Sequence, residues 1–348
     1  MMGYKVAVVG ATGNVGREML TILAERTFPA DEVIALASRR SMGVEVSFGD
    51  KILKIKTLEH LDFSDVDICL MSAGSPVAKE WAPKIAAAGA VVIDNSSCWR
   101  YEADVPLIVP EVNADAIVDF RKRGIIANPN CSTAQLVVAL KPLHDKAKIK
   151  RVVVATYQSA SGAGRALVEE LEEQTRALAG GAAPEAREYP HQLAHNVVPG
   201  GWPVEDGDEG YNEEEVKILN ETRKILHAPD LRAVATCVRV PVPVGHGEAV
   251  FVETERELSA DEAREVLRTA EGVVVQDGPG PQDYPTPAAV AGTDGVYVGR
   301  IRRDLSASRG LAMWVVSDNL RKGAALNAVQ IAERALRMGL LEGGAHNG

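Results

Sequence analysis

The sequence has little of what marks a secreted, membrane-bound or nucleic-acid-binding protein. It holds four cysteines in 348 residues, Cys69, Cys98, Cys131 and Cys237. They lie far apart with no Cys-x-x-Cys pair, which argues against a zinc ribbon or a disulfide scaffold. No apolar run approaches the roughly 20 residues a bilayer span needs. The chain opens straight into a strand pattern, without the charged and apolar regions of a signal peptide. Basic excess is also missing: the formal net charge is −10, so no face suited to nucleic acid is expected. Repeats and low-complexity tracts are absent. These absences point to a soluble protein of the reducing cytoplasm, long enough for two domains, with neither membrane nor nucleic acid as partner. Anionic small molecules stay open as ligands, because they need only local cations.

What is present begins with Tyr4-Lys-Val-Ala-Val-Val9, a short apolar run of buried-strand type. Gly10-Ala-Thr-Gly-Asn-Val-Gly16 follows, then a stretch of helical spacing from Arg17. Strand, glycine turn and helix form the context in which a backbone approaches a dinucleotide pyrophosphate. Val33 to Ala37 reads as a second strand. Its end carries Ser38-Arg-Arg-Ser41 in place of the acid that binds a ribose 2′-hydroxyl in an NAD site. Two guanidiniums and two hydroxyls suit a 2′-phosphate, so NADP is the expected cofactor. Further strands are expected at Val66–Met71, Ala90–Asp94 and Gly124–Ala127, with a helix carrying Val77, Trp81, Ile85 and Ala88 between the first two. Strands alternating with helices predict a Rossmann-type doubly wound parallel sheet. Ligands in such sheets sit at the carboxyl ends of the strands, where Gly10, Ser38, Ser72, Asn95 and Cys131 all fall.

Cys131 stands in Asn128-Pro-Asn-Cys-Ser-Thr133, ahead of the apolar run Leu136 to Leu140. The stretch reads as a cysteine on the first turn of a helix, with Asn130, Ser132 and Thr133 of the residue types that satisfy free N–H groups there. The positive end of a helix favours thiolate over thiol, and a thiolate attacks acyl carbon.

After Leu143 the pattern changes. Strands are expected at Arg151–Gln158, Ala233–Val240, Glu248–Glu253, Val298–Arg303 and Leu311–Val316, with a charged helix around Leu167 to Leu178 and another around Asp261 to Ala270. Consecutive strands predict a second, α+β domain on a mostly antiparallel sheet. Residues from about 180 to 210 read as a long loop, a lid or a subunit contact. In Arg239-Val-Pro-Val-Pro-Val-Gly-His-Gly-Glu248 a strand presents Arg239 and a glycine-flanked His246 sits on the turn. Cysteine with histidine suggests nucleophile with acid/base, and the arginine suggests a bound carboxylate. His191 and His195 have i,i+4 spacing but no third ligand nearby, so no metal is expected. A helix from about Lys322 to Met338 closes the chain.

Six stretches, in order, resemble the aspartate-β-semialdehyde dehydrogenases: Gly10 to Gly16, Asp94-Asn-Ser-Ser-Cys-Trp-Arg100, Asn128 to Thr133, Tyr157-Gln-Ser-Ala-Ser-Gly-Ala-Gly164, Arg239 to His246, and Ser317-Asp-Asn-Leu-Arg-Lys-Gly-Ala-Ala-Leu-Asn327. The likeness runs from Tyr4 to Glu333. It implies NADPH-dependent reductive dephosphorylation of 4-phospho-L-aspartate to L-aspartate 4-semialdehyde, on the route to lysine, threonine and methionine, by a homodimer or a dimer of dimers. It implies an NADP-binding domain over residues 1–130, completed by the C-terminal helix at about 320–340, and a catalytic and dimerisation domain over 131–319.

By motif, the resemblance makes Cys131 the acyl-accepting nucleophile, His246 the acid/base and Gln158 the residue that orients the acyl group. Arg239 would clamp the α-carboxylate, Arg100 and Lys217 the phosphate, and Glu214 the α-amino group, with Asn130 also at the substrate. The run Glu213-Glu-Glu-Val-Lys217 admits a slip of one among its glutamates. The cofactor would be met by Gly10, Thr12, Gly13, Asn14, Val15, Gly16, Ser38, Arg39, Arg40, Ser41, Ser72, Ala73, Gly74, Asn95, Ser161, Gly162 and Asn319. The family's usual Ser-Arg-Ser is here Ser-Arg-Arg-Ser, so either Arg39 or Arg40 can meet the 2′-phosphate, and Cys98 replaces an expected alanine. The nearest rival is an N-acetyl-glutamyl-phosphate reductase, for which Pro-Gly-Cys-Tyr is expected at the cysteine. A Cys–His acyl hydrolase and a non-catalytic NADP-binding regulator are more remote.

Overall fold

The computed structural model describes residues 3–204 and 209–341. They fall into two compact units, Met1–Asn130 with Ala324–Gly348, and Cys131–Gly323.

The first unit alternates strand and helix: β1 Tyr4–Val9, α1 Asn14–Glu25, β2 Ala30–Leu36, the hairpin β3 Glu45–Phe48 and β4 Lys51–Lys54, β5 Ile68–Met71, α2 Ser75–Ala87, β6 Val91–Asp94, the short α3 Pro110–Asn113, and β7 Ile125–Ala127. Five strands form a parallel sheet in the order β2-β1-β5-β6-β7. Val6 to Val9, Ile68 to Met71 and Val91 to Asp94 are buried throughout, as continuous apolar strands covered on both faces must be. The order reverses between β1 and β5, which opens a crevice at their carboxyl ends. Gly10 is there with φ +85°, and a Cβ on it would lie 2.1 Å from the Ser72 carbonyl oxygen, so only glycine lets the two strand ends come together. The β3–β4 hairpin has strands of only four residues each, too short a pattern for a strand expectation.

The second unit runs α4 Cys131–Ala147, β8 Ile149–Gln158, α5 Arg165–Ala179, α6 Glu213–Ile225, β9 Arg232–Arg239, β10 His246–Thr254, α7 Ala260–Arg268, β11 Val273–Val275, the short α8 Pro287–Val290, β12 Val296–Arg303 and β13 Gly310–Ser317. Its six-stranded sheet has the order β11-β12-β13-β10-β8-β9. The three central pairings are antiparallel, while β8–β9 and β11–β12 are parallel. Helix α4 packs against β8, β10 and β13. Period-two alternation sends Thr156 and Gln158 of β8, and His246, Glu248 and Val250 of β10, to one buried face. Tyr157 and Phe251 go to the other and stay partly exposed. The expected loop of about 180–210 has neither helix nor strand over residues 180–204, and residues 205–208 lie outside the described ones. Helix α6, unforeseen in the pattern, is started by a capping box of Asn212 and Glu215.

The chain then returns to the first unit. One π-helical turn, Arg321–Ala325, precedes α9 Leu326–Arg337, so the last helix begins later than the periodicity suggests. Leu326, Val329, Ile331 and Ala332 of α9 join Met19, Leu20 and Leu23 of α1 and the sheet's Val6, Val8 and Ile68 in one core cluster. Arg26 and Glu333 pair at 2.7 Å beside it.

Candidate active site

Cys131 is the first residue of α4, where the helix's positive end favours a thiolate. Its Sγ lies 3.2 Å from His246 Nε2. His246 is not on the turn that its flanking glycines suggested; it is the first residue of β10 and is fully buried. The Ser159 N–H donates to His246 Nδ1 at 3.1 Å. Nδ1 is therefore an acceptor, and a neutral imidazole carries its proton on Nε2, facing the sulfur. Burial first, and the charge of Arg239 second, push the His246 pKa down to about 3, so the ring is neutral at physiological pH.

Arg239 ends β9 directly in register with Gln158 at the end of β8. Only 2% of Arg239 is exposed. One guanidinium nitrogen, Nη1, donates to the Ser159 carbonyl at 2.7 Å, and Nε is buried with no hydrogen-bond partner among the described residues. Glu253, an acid of the neighbouring β10, pairs with Arg151 at 2.7 Å and not with Arg239. A Cβ placed on Gly162 would sit 3.1 Å from both Arg239 Nη1 and His246 Nε2, so the two functional groups share one small space that glycine keeps open. Gln158 donates from Nε2 to Glu214 Oε1 at 3.1 Å. Lys217 Nζ is 3.8 Å from Glu214 and also bonds Glu213.

These contacts bear on the glutamate register. Glu215 is engaged in the α6 cap and in accepting the Cys237 N–H at 3.0 Å, and Glu213 is the more exposed partner of Lys217. Glu214 alone of the three reaches Gln158. Ser161 and Asn319 lie behind the histidine: Asn319 Oδ1 accepts from Gly245 N–H, Ser159 Oγ and Ser161 Oγ at 2.8, 3.0 and 3.2 Å.

In the first unit, α1 starts at Gly13 with no side-chain cap and no acid in its first turn. Its open N–H groups stand at the strand-order reversal and suit a pyrophosphate. Ser38 leads into a short turn, Arg39–Ser41. Arg39 lies 3.4 Å from Glu59, whereas Arg40 makes no ion pair among the described residues. Ser72, Ala73 and Gly74 follow β5 and lead into α2. Asn95 follows β6, and its carbonyl accepts from Arg100 Nη2 at 2.8 Å. Arg100 Nε donates to the Asn128 carbonyl at 2.9 Å, so the buried guanidinium is aimed by backbone two residues ahead of Asn130.

Several known proteins are close to this chain in sequence. Over 343 residues the chain is 54% identical to the aspartate-semialdehyde dehydrogenase of Aquifex aeolicus, covering 98% of this chain and 100% of that one. The chain belongs to the aspartate-semialdehyde dehydrogenase family. Two family models match in succession: the semialdehyde dehydrogenase NAD binding domain over residues 5–120, and the semialdehyde dehydrogenase dimerisation domain over 140–322. Among solved structures, aspartate semialdehyde dehydrogenase II of Vibrio cholerae complexed with ASA matches with a TM-score of 0.94 at 47% identity, over 97% of this chain and 99% of that one. The enzyme of Candida albicans with NADP matches with a TM-score of 0.75 at 26% identity, over 97% and 99%. Family membership makes the protein an oxidoreductase with a nucleotide-binding Rossmann fold. No described helix is long and apolar enough to cross a membrane.

Sequence reasoning missed several residues around this dehydrogenase-family site. Ser159 meets His246 Nδ1 with both its N–H and its hydroxyl oxygen, each at 3.1 Å, and the backbone half of that contact leaves no side-chain pattern to read. Tyr189 and Trp202 lie against the Arg239 guanidinium, with ring centroids 5.7 and 4.9 Å from its central carbon, and come from the loop that had no periodicity to read. Glu248 is fully buried with neither carboxylate oxygen hydrogen-bonded among the described residues, and burial drives its pKa well up. The alternation of β10 placed it inward, but a glutamate reads as an outward residue.

Proposed function

We propose that the protein converts 4-phospho-L-aspartate, NADPH and a proton to L-aspartate 4-semialdehyde, NADP and phosphate through a thioester on Cys131. The observation that carries this reading is the 3.2 Å contact of Cys131 Sγ with His246 Nε2, beside an arginine whose Nε has no hydrogen-bond partner among the described residues. Thiolate attack on the acyl phosphate forms the C–S bond and breaks the C–O bond to phosphate. Arg239 holds the α-carboxylate through its unengaged edge, and Glu214 the α-amino group. Lys217 and Arg100 receive the phosphate, with Asn130 lining the same site. Gln158, tethered to Glu214, orients the acyl oxygen. NADPH, when bound, supplies hydride to the thioacyl carbon. The resulting oxyanion expels the Cys131 sulfur, and the neutral His246 holds the negative charge with its Nε2–H, first on oxygen and then on sulfur.

The uncapped start of α1 supports the pyrophosphate, and Ser38, Arg39, Arg40 and Ser41 the 2′-phosphate. Thr12 to Val15, Ser72 to Gly74, Asn95, Ser161, Gly162 and Asn319 complete the cofactor contacts in this reading. Arg40 is the better 2′-phosphate ligand, since Arg39 already has an acid. The exposed face of the six-stranded sheet supports a homodimer. Tyr157 and Trp314 stack edge to face at 5.4 Å there, and a groove of 510 Å³ is lined by Phe251, Met313 and Trp314. A cytoplasmic setting follows from this metabolism.

The test is NADP reduction with L-aspartate 4-semialdehyde in the presence and absence of phosphate. Turnover is expected only with phosphate, with NADP well ahead of NAD, and not with N-acetyl-glutamate semialdehyde. Phosphate-independent turnover, or a preference for the acetylated substrate, overturns the reading.

A further inference from the structure

The loop before α6 looks irregular but is built as carefully as a core. Tyr189, Leu193, Ala194 and Val198 are buried and form a cluster with Leu167 and Leu171 of α5. Two polar side chains of α5, each 1% exposed, hold it in place. Glu170 Oε2 accepts the N–H groups of Arg187 and Glu188 at 2.9 and 2.7 Å. Gln174 Oε1 accepts those of Leu193 and Ala194 at 2.9 and 3.0 Å, while its Nε2 bonds Glu170. A helix interior ordinarily has no use for a buried glutamate and glutamine. Here they substitute for the secondary structure that the loop lacks, satisfying four backbone donors.

What the loop delivers is the surround of Arg239. Val198 exchanges both backbone hydrogen bonds with Arg239, at 2.9 and 2.8 Å. The Tyr189 phenol donates to the Gly200 carbonyl, which fixes the ring where it lies against the guanidinium. Trp202, partly exposed, is the nearer ring at 4.9 Å. With Nη1 committed to Ser159 and two aromatic rings against it, the guanidinium has little rotational freedom left. A planar carboxylate recognised through two parallel N–H···O bonds requires such a fixed plane.

We infer that this loop is a selectivity element: Tyr189 and Trp202 set the plane of Arg239, Glu170 and Gln174 hold the loop that carries them, and together they determine preference for a substrate with an α-carboxylate. The inference rests on the reading of Arg239 as the carboxylate clamp. Trp202 and Glu170 are positioning residues, since they act through Arg239.

The experiment compares kcat/KM for L-aspartate 4-semialdehyde with that for 3-aminopropanal, the same aldehyde without its carboxylate, in the intact enzyme with NADP and phosphate. The ratio of the two measures carboxylate recognition. Trp202→Ala should lower that ratio on the order of tenfold, the scale of one partly desolvated cation–aromatic contact, mainly through KM of the semialdehyde. Trp202→Phe should keep it within about twofold, because an aromatic face remains. Glu170→Ala should lower it as Trp202→Ala does; Trp202 is partly exposed, so its variants decide the matter even where the Glu170 variant does not fold. An unchanged ratio in Trp202→Ala, or equal losses on both aldehydes, overturns the inference. Arg239→Lys separates the two levels. If its ratio is unchanged, Arg239 is not the clamp and the underlying reading falls; if its ratio collapses while that of Trp202→Ala does not, the clamp stands and the selectivity role of the loop fails.

Discussion

Replacing Glu248 by methionine should change how stability depends on pH, and the change can be worked out from its surroundings. Glu248 is fully buried in β10, between Thr156 of β8 and Val315 of β13, with Gln135 of α4 as the polar side chain facing it. Gln135 is itself taken up by Ser317, which donates to its Oε1 at 2.7 Å. Burial dominates, and the carboxyl pKa rises well above the ordinary 4.5. A group whose folded pKa is raised keeps its proton in the folded state and releases it on unfolding. Its contribution to stability is thus fully present below pH 4.5 and is lost as pH climbs toward the folded value. Within that window each pH unit costs about 1.4 kcal/mol. Methionine has similar length and no proton to release. Between pH 5.5 and 6.5 the stability of Glu248→Met should therefore gain on that of the wild type, by at most about 1.4 kcal/mol. Denaturant melts at the two pH values, followed by tryptophan fluorescence, measure this difference. Terms that do not titrate, such as the altered packing, cancel in it. Parallel curves for the two proteins would mean that Glu248 is ionised in the fold, and the burial argument would fail.

Two further outcomes are expected. Cys131→Ala should abolish turnover and leave dinucleotide affinity intact, and an acyl donor should label the wild-type peptide that contains Cys131; label on Cys69 or Cys237 would contradict the assignment, since burial pushes both thiols up and keeps them inert. Arg40→Ala should weaken NADP much more than NAD in equilibrium titrations, and more than Arg39→Ala does, because Arg39 is shared with Glu59; equal losses for the two cofactors would assign these arginines to the fold.

The parts of this protein legible in its sequence are those whose physics is local. Short apolar runs fix β1, β5 and β6, and the glycine turn before α1 requires Gly10 for a reason that any reader of the motif can state. Cys131 at a helix start follows from the residues around it. The hairpin β3–β4 escapes because its strands have only four residues each, and α6 because three consecutive glutamates obscure its periodicity. His246 was placed on a turn because Gly245 and Gly247 flank it; strand pairing with Ser317 made it a strand residue instead. The aromatic surround of Arg239 leaves no pattern, since Tyr189 and Trp202 reach it through a loop ordered by buried side chains of α5 and not by a periodicity of its own.

The core that joins α9 to β1 and α1 sets an order of events during synthesis. The N-terminal sheet leaves the ribosome first, yet the helix that buries Val6, Val8 and Ile68 is encoded at residues 326–337. The nucleotide unit therefore waits, with an apolar face unsealed, while the whole of Cys131–Gly323 is translated, and that later segment has every residue of its own core in hand before the earlier one does. Vectorial folding is inverted: the second unit in the gene is the first that can finish. A stop placed before α9 leaves the six-stranded sheet complete and strikes the unit whose strands were made first.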